Sequence, residues 1–289
     1  IEKQEKFLLY NMEQMQDLYL LMLQLLIALR DQAENYLLIS QKKHLATDLE
    51  KKPSKLFIDN KLISLLKSNE RFTDIINKKK LNYWENDSEY ITIIFNELKE
   101  KEWYSSFLAK KESTFLEDKD FIIKIFKEVI APNEKLYEYI EDKRLTWLDD
   151  FPLVNTLLLK MLQKISEKNI NSILIPEVYK NKEDREYALQ LFQKVIINED
   201  ELSEEIDSKT PNWDKERIAE IDMIILKMGI SEFLFFPSIP VRATINEYLE
   251  VSKEYSTPKS SSFINGILDK MVKELTKADK LNKIGRGLN

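Results

Sequence analysis

From Tyr255 to Phe263 the chain reads Tyr-Ser-Thr-Pro-Lys-Ser-Ser-Ser-Phe. Two aromatic rings bracket a cluster of hydroxyls and one lysine. These residue types suit one kind of contact: hydroxyls and the N–H groups of a helix start toward phosphate or sugar, with Lys259 adding charge. Tyr255 and Phe263 could stack on unpaired bases, at ~1–3 kcal/mol each where exposed. A structural reading stands beside this one. Ser256 or Thr257 can cap a helix, Pro258 suits a first helical position, and Phe263, Ile264, Ile267, Leu268 and Met271 then form an inward stripe. That reading makes Phe263 a core residue. It leaves Lys259, Ser260, Ser261 and Ser262 without a role, since helix interiors do not favour three serines in a row. The stretch is therefore expected to be both a cap and a contact surface.

Other polar residues have plainer readings. Glu216, Glu220 and Asp222, with Arg217, fall on the helix expected after Trp213 and read first as a solvated face. Gly266 costs ~1 kcal/mol relative to Ala inside a helix, which points to a close helix–helix approach, with Asn265 bonding a neighbouring backbone. Asn246 and Glu247 read as an internal polar pair. Enzyme chemistry finds little support. The single histidine, His44, has no visible partner, there is no cysteine, and four glycines cannot furnish a nucleotide-binding loop. Asp149 and Asp150 read as helix N-terminal acids, where the macrodipole favours them. No catalytic residue, metal ligand or cofactor is assigned.

The elements that must position these residues are helices. The chain has 289 residues, 43% of them hydrophobic, with only 4 Gly and 8 Pro, a composition that favours long helices over a turn-rich sheet protein. A net charge of −6 argues against a surface that binds nucleic acid all over, while leaving room for a local basic patch within a Debye length of ~8–10 Å. Apolar residues recur at 3–4 spacing from Glu2 to Lys43, predicting one helix of roughly 40 residues. Its run Leu18–Leu29 falls short of the ~20 residues needed to span a bilayer and reads as a buried helix. The chain opens on Ile1, so residues upstream are expected to have been lost or trimmed, and no signal peptide is visible.

A unit then recurs. Glu117–Trp147 and Glu183–Trp213 share Phe126/Phe192, Val129/Val195, Ile130/Ile196, Leu136/Leu202, Ile140/Ile206 and Trp147/Trp213 at a constant offset, with a fainter copy at Asn69–Trp84. Each copy predicts a helix, a tight corner, a second helix, a Trp wedge and a third helix. The third helices are expected at Tyr90–Leu98, Leu153–Ile165 and Ile218–Ile230. A duplicated helical unit explains the pattern.

From Asn212 the sequence resembles the NusB family of transcription antitermination factors. The resemblance rests on Trp213-Asp214, Arg217-Ile218-Ala219, Asp222, Ile239-Pro240-Val241, Ile245-Asn246-Glu247 and Phe263-Ile264-Asn265-Gly266-Ile267-Leu268-Asp269-Lys270. It covers about 65 residues closely. With the extra region Phe57–Trp147, the chain resembles the long, Bacteroidetes-type form. The resemblance implies an all-α protein of packed helical bundles. The expected divisions are 1–55 (long helix and break), 56–150 (inserted or duplicated unit) and 151–289 (NusB-like domain).

The resemblance also implies partners: the ribosomal protein NusE, boxA-type single-stranded RNA, and the RNA polymerase complex that reads through terminators on ribosomal RNA operons. By the same resemblance Tyr255, Lys259, Ser260, Ser261, Ser262 and Phe263 match positions that face RNA. Glu216, Glu220 and Asp222 become candidates for docking the basic ribosomal protein. A cytoplasmic, non-catalytic, membrane-free factor is expected, with a protein-only helical scaffold as the alternative. One departure is plain: the family begins with an arginine-rich helix, whereas Ile1–Lys6 holds two acids and two lysines. That helix is expected upstream of Ile1, or else the chain binds RNA poorly. The tail from Lys273 to Arg286 reads as a frayed basic segment.

Overall fold

The computed structural model describes residues 1–41, 54–209 and 218–288, and every regular element among them is helical. In chain order these are α1 (Glu2–Gln41), α2 (Lys61–Lys67), α3 (Glu70–Lys79), α4 (Tyr83–Asn86), α5 (Ser88–Lys99), α6 (Glu102–Leu108) and α7 (Phe115–Ile125). A π-turn, Phe126–Ile130, extends α7. There follow α8 (Glu134–Lys143), α9 (Thr146–Lys164), α10 (Ile170–Ile173), α11 (Lys182–Ile197), α12 (Glu199–Lys209), α13 (Glu220–Phe235), α14 (Val241–Tyr255), α15 (Ser260–Lys277) and a closing 3-10 turn, Gly285–Leu288. The all-α expectation holds, as does the long first helix. His44, Trp213, Glu216 and Arg217 lie outside the described residues. Two compact units are present: Tyr10–Val178, and Ile1–Leu9 with Tyr179–Asn289. The expected divisions after residues 55 and 150 fall elsewhere than this boundary.

In the first unit α1 is the spine. Every residue from Leu18 to Leu23 is at most 3% exposed, so the helix is enclosed on all sides where it is apolar all round. Among the described residues no helix is long and apolar enough to cross a membrane. The repeated units attach to α1 in the same way. Trp84 Nε1 donates to Leu21 O at 2.8 Å, and Trp147 Nε1 donates to Gln14 O at 2.8 Å. The two acceptors are seven residues, or two helical turns, apart on α1. The corner before each second helix is an asparagine cap. Asn69 Oδ1 accepts from Phe72 N–H at 2.9 Å, and Asn133 Oδ1 accepts from Leu136 N–H at 2.8 Å. Each cap satisfies a backbone donor that the helix start leaves open. Trp147, Phe151, Val154, Leu158 and Leu162 of α9 belong to this unit's core, which is why the unit runs on past residue 150.

In the second unit α13 is central. Its buried residues Ile225, Leu226, Ile230 and Phe233 meet Tyr248 of α14, Ile264, Leu268 and Met271 of α15, and Leu202 and Ile206 of α12. Short corners at 236–240 and 256–259 reverse the chain, so α14 runs against both of its neighbours and α13 and α15 start at the same end. The close approach between helices is made at Gly229, where an added Cβ would lie 3.1 Å from Leu268 Cδ2 and 3.4 Å from Tyr248 Cδ2. It is not made at Gly266, where a Cβ would meet nothing within 4 Å. Asn265 reaches only its own helix, Nδ2 donating to Asp269 Oδ2 at 3.3 Å. Nor is the tail wholly frayed. Ile284 N–H donates to Pro237 O at 3.0 Å, and a Cβ on Gly287 would collide with that same oxygen at 2.0 Å.

Candidate nucleic-acid interface

The hydroxyl-rich stretch forms the bend between α14 and α15, beside the first turn of α13. Its construction is specific. Asp222 stands in the first turn of α13 and is 5% exposed. Ser256 Oγ donates to its Oδ1 at 2.5 Å, and Ser260 Oγ donates to its Oδ2 at 2.7 Å. With the Ser260 proton so engaged, Thr257 is the donor in the 2.8 Å contact between the two hydroxyls. One carboxylate thus holds a chain end of α14 and the first residue of α15. It also faces two helix N-termini, whose partial positive charge favours it.

This arrangement sorts the expected residues into two sets. Ser260, 3% exposed, and Asp222 face each other inside the knot. Lys259 and Ser262 are exposed, and Tyr255, Ser261 and Phe263 are half-buried. Phe263 packs partly on the core of the unit, combining both readings of that ring. Glu220 is exposed two residues ahead of Asp222, on a different face of the helix. Ser256 and Thr257 do not cap α15 through its backbone, as the sequence suggests. The helix starts at Ser260, Lys259 occupies the cap position without a side-chain bond, and Pro258 lies in the preceding turn. In-helix bonding opens with Phe263 N–H donating to Lys259 O at 3.3 Å. The N–H groups of Ser261 and Ser262 therefore project from the helix start next to Lys259.

A second polar junction lies deeper, and the sequence reading placed it on the wrong residues. Asn246 and Glu247 are exposed. The internal carboxylate is Glu232 of α13, 4% exposed. It accepts from Thr244 Oγ1 at 2.6 Å, from Tyr248 OH at 3.1 Å and from Tyr187 OH of α11. Burial first, and the adjoining carboxylate next, push both phenols well above their ordinary range. Both stay protonated and act as donors at all ordinary pH. The signal was present as Thr244 and Tyr248 at i, i+4 on one face of α14. Lys283 closes the end of α13, donating to Phe236 O at 3.0 Å and Glu232 O at 3.3 Å. Its burial lowers the pKa of its ammonium.

The arrangement offers a rigid bend with one cation, two hydroxyls, two helix-start N–H groups and two partly open rings.

Comparison with known proteins identifies relatives of the second unit. A family model described as the NusB family matches residues 155–273, from within α9 to within α15. The transcription antitermination protein NusB of Salinibacter ruber is 33% identical over 123 residues, 43% of this chain and 77% of that protein. Its namesake in Chloroherpeton thalassium is 34% identical over 122 residues, 42% of this chain and 58% of that protein. The one from Natranaerobius thermophilus is 39% identical over 98 residues, 34% of this chain and 70% of that protein. No solved structure matches the chain. The family model and these relatives lead to one conclusion: the chain belongs to the NusB family of transcription antitermination proteins.

Proposed function

We propose that this protein binds boxA-type single-stranded RNA together with the ribosomal protein NusE. In that complex it supports read-through by RNA polymerase on ribosomal RNA operons, as a cytoplasmic, non-catalytic factor. The observation that carries the reading is the bend at 255–263. Asp222 pins it from beneath through Ser256 and Ser260, while Lys259 and Ser262 stay exposed and the rings of Tyr255 and Phe263 stay half-open. Phosphate would be met by Lys259 and the N–H groups of Ser261 and Ser262, sugar by the serine hydroxyls, and bases by the rings. Ser260 contributes by holding the bend. Of the expected docking acids, Glu220 remains available to a basic partner, where complementary charge speeds encounter more than it tightens the complex.

The test is fluorescence anisotropy with boxA RNA and a scrambled RNA of equal length, each with and without purified NusE. The reading expects tight binding only for boxA with NusE present. Equal binding of both RNAs would contradict boxA recognition, and capture of NusE with no RNA bound would favour the protein-only scaffold.

A further inference from the structure

The far end of the second unit carries a cleft that the RNA-binding reading does not use. It holds about 350 Å³ between α12, α13 and the C-terminal half of α15. Its floor is apolar. Leu202, Ile230, Met271 and Leu275 are buried there, and Leu234 and Phe235 stand half-open above them. Its rim carries Glu201, Glu205 and Asp279 beside Lys280, and the ammonium of Lys194 lies 4.8 Å from the centre of the Phe235 ring. Glu201 and Asp279 are exposed.

The helix behind that rim is acidic, although its Glu199 pairs with Lys227 at 3.0 Å. In α12, Glu199, Asp200, Glu201, Glu204, Glu205 and Asp207 occupy most positions before Lys209. Only Leu202 and Ile206 anchor the helix inward. The cleft also lies where α15 ends, just before Asp279, so one helix C-terminus adds partial negative charge, while the end of α13 is closed by Lys283. The floor suits the apolar face of an amphipathic segment, and the acids of the rim suit cations on its other face.

We propose that this cleft docks a basic amphipathic segment of a protein partner. Apolar side chains of that segment seat on Leu234 and Phe235, while its Lys or Arg residues meet Glu201 and Asp279. The apolar contact supplies most of the affinity, and the charges supply selectivity and encounter rate. At 1.5 Å per residue, Met271 stands roughly 16 Å along α15 from Ser260. The cleft and the bend can therefore be occupied together, and variants at one leave the other intact.

The probe is a fluorescein-labelled synthetic helical peptide with Leu at i, i+3, i+4 and i+7 and Lys elsewhere, titrated into the full chain. Two controls share its length: one with Ser for every Leu, one with Glu for every Lys. The proposal expects saturable binding of the probe alone. Hydrogen-exchange protection should be confined to residues 198–205, 230–235 and 271–280, with at least a roughly tenfold loss in the Glu201→Lys/Asp279→Lys double variant. Phe235→Ser should weaken the probe without changing boxA binding. No binding up to about millimolar peptide, equal binding of either control, or protection elsewhere would overturn the proposal.

Discussion

Ser260 Oγ donates to Asp222 Oδ2 at 2.7 Å, joining the first turn of α15 to the first turn of α13 across 38 positions of sequence. Both residues are nearly closed to solvent, and the carboxylate is shared with Ser256. The bend that presents Lys259 is therefore fixed by a buried acid, not by the usual backbone cap.

Asp222→Ala strands two hydroxyls without their acceptor. It should lower unfolding free energy by about 2–4 kcal/mol, while Asp222→Asn, which keeps one acceptor oxygen, costs less. Glu220→Gln on the exposed face should stay within ~0.5 kcal/mol of the parent. Urea midpoints of the full chain check the order, and hydrogen exchange at 256–262 should rise in the Ala variant alone.

The two helical glycines should respond in opposite directions. Gly266→Ala gains helix propensity in open space and should stabilise by about 0.5–1 kcal/mol. Gly229→Ala drives a methyl against Leu268, which is fully buried and has little room to move. It should destabilise by about 1–2 kcal/mol. Thermal melts of the two single variants suffice.

The Trp anchors on α1 should behave alike. Trp84→Phe and Trp147→Phe each remove one buried N–H bond and leave a carbonyl of α1 with its helical partner only. Each should cost about 1–3 kcal/mol, and Trp→Ala about 3–5 kcal/mol. Denaturant titrations followed by circular dichroism read both.

Glu117 supplies a pH prediction. Its contact with Lys110, and next its bonds to the Thr114 backbone and hydroxyl, hold its carboxyl down at about 2. A depressed carboxylate contributes stability that is present above the unfolded pKa of ~4.3 and lost as pH falls through the folded value. Amide exchange at the start of α7 should accelerate as pH drops from about 4 to about 2, after correction for intrinsic rates. Glu117→Gln should remove that dependence.

Much of this architecture was legible in the sequence, for physical reasons. The Leu18–Leu29 run admits no solvent-facing side, so a buried spine was the only place for it. The recurring Trp after a helix pair marked the wedge at Trp84 and at Trp147. What escaped depended on rotational phase. Asn246 and Glu247 sit two positions from Thr244 and one from Tyr248, and at about 100° per residue that is enough to face outward while Thr244 and Tyr248 turn to Glu232. The close approach fell at Gly229 and not at Gly266 for the same reason. Asp222 looked like a surface acid because first-turn acids commonly are. Only the meeting of two helix starts, far apart in sequence, turned it inward. The division at Tyr179 was hidden too, because α9 carries the expected third-helix pattern and gives its apolar face to the first unit.

The most direct test of the central claim is the salt dependence of boxA binding, with NusE present, for the parent chain and Lys259→Glu. If Lys259 meets phosphate, the substitution weakens binding, and the slope of log K against log salt becomes shallower by roughly 0.7, the contribution of one single-strand phosphate contact. Unchanged affinity with an unchanged slope would remove the bend at 255–263 from the RNA interface.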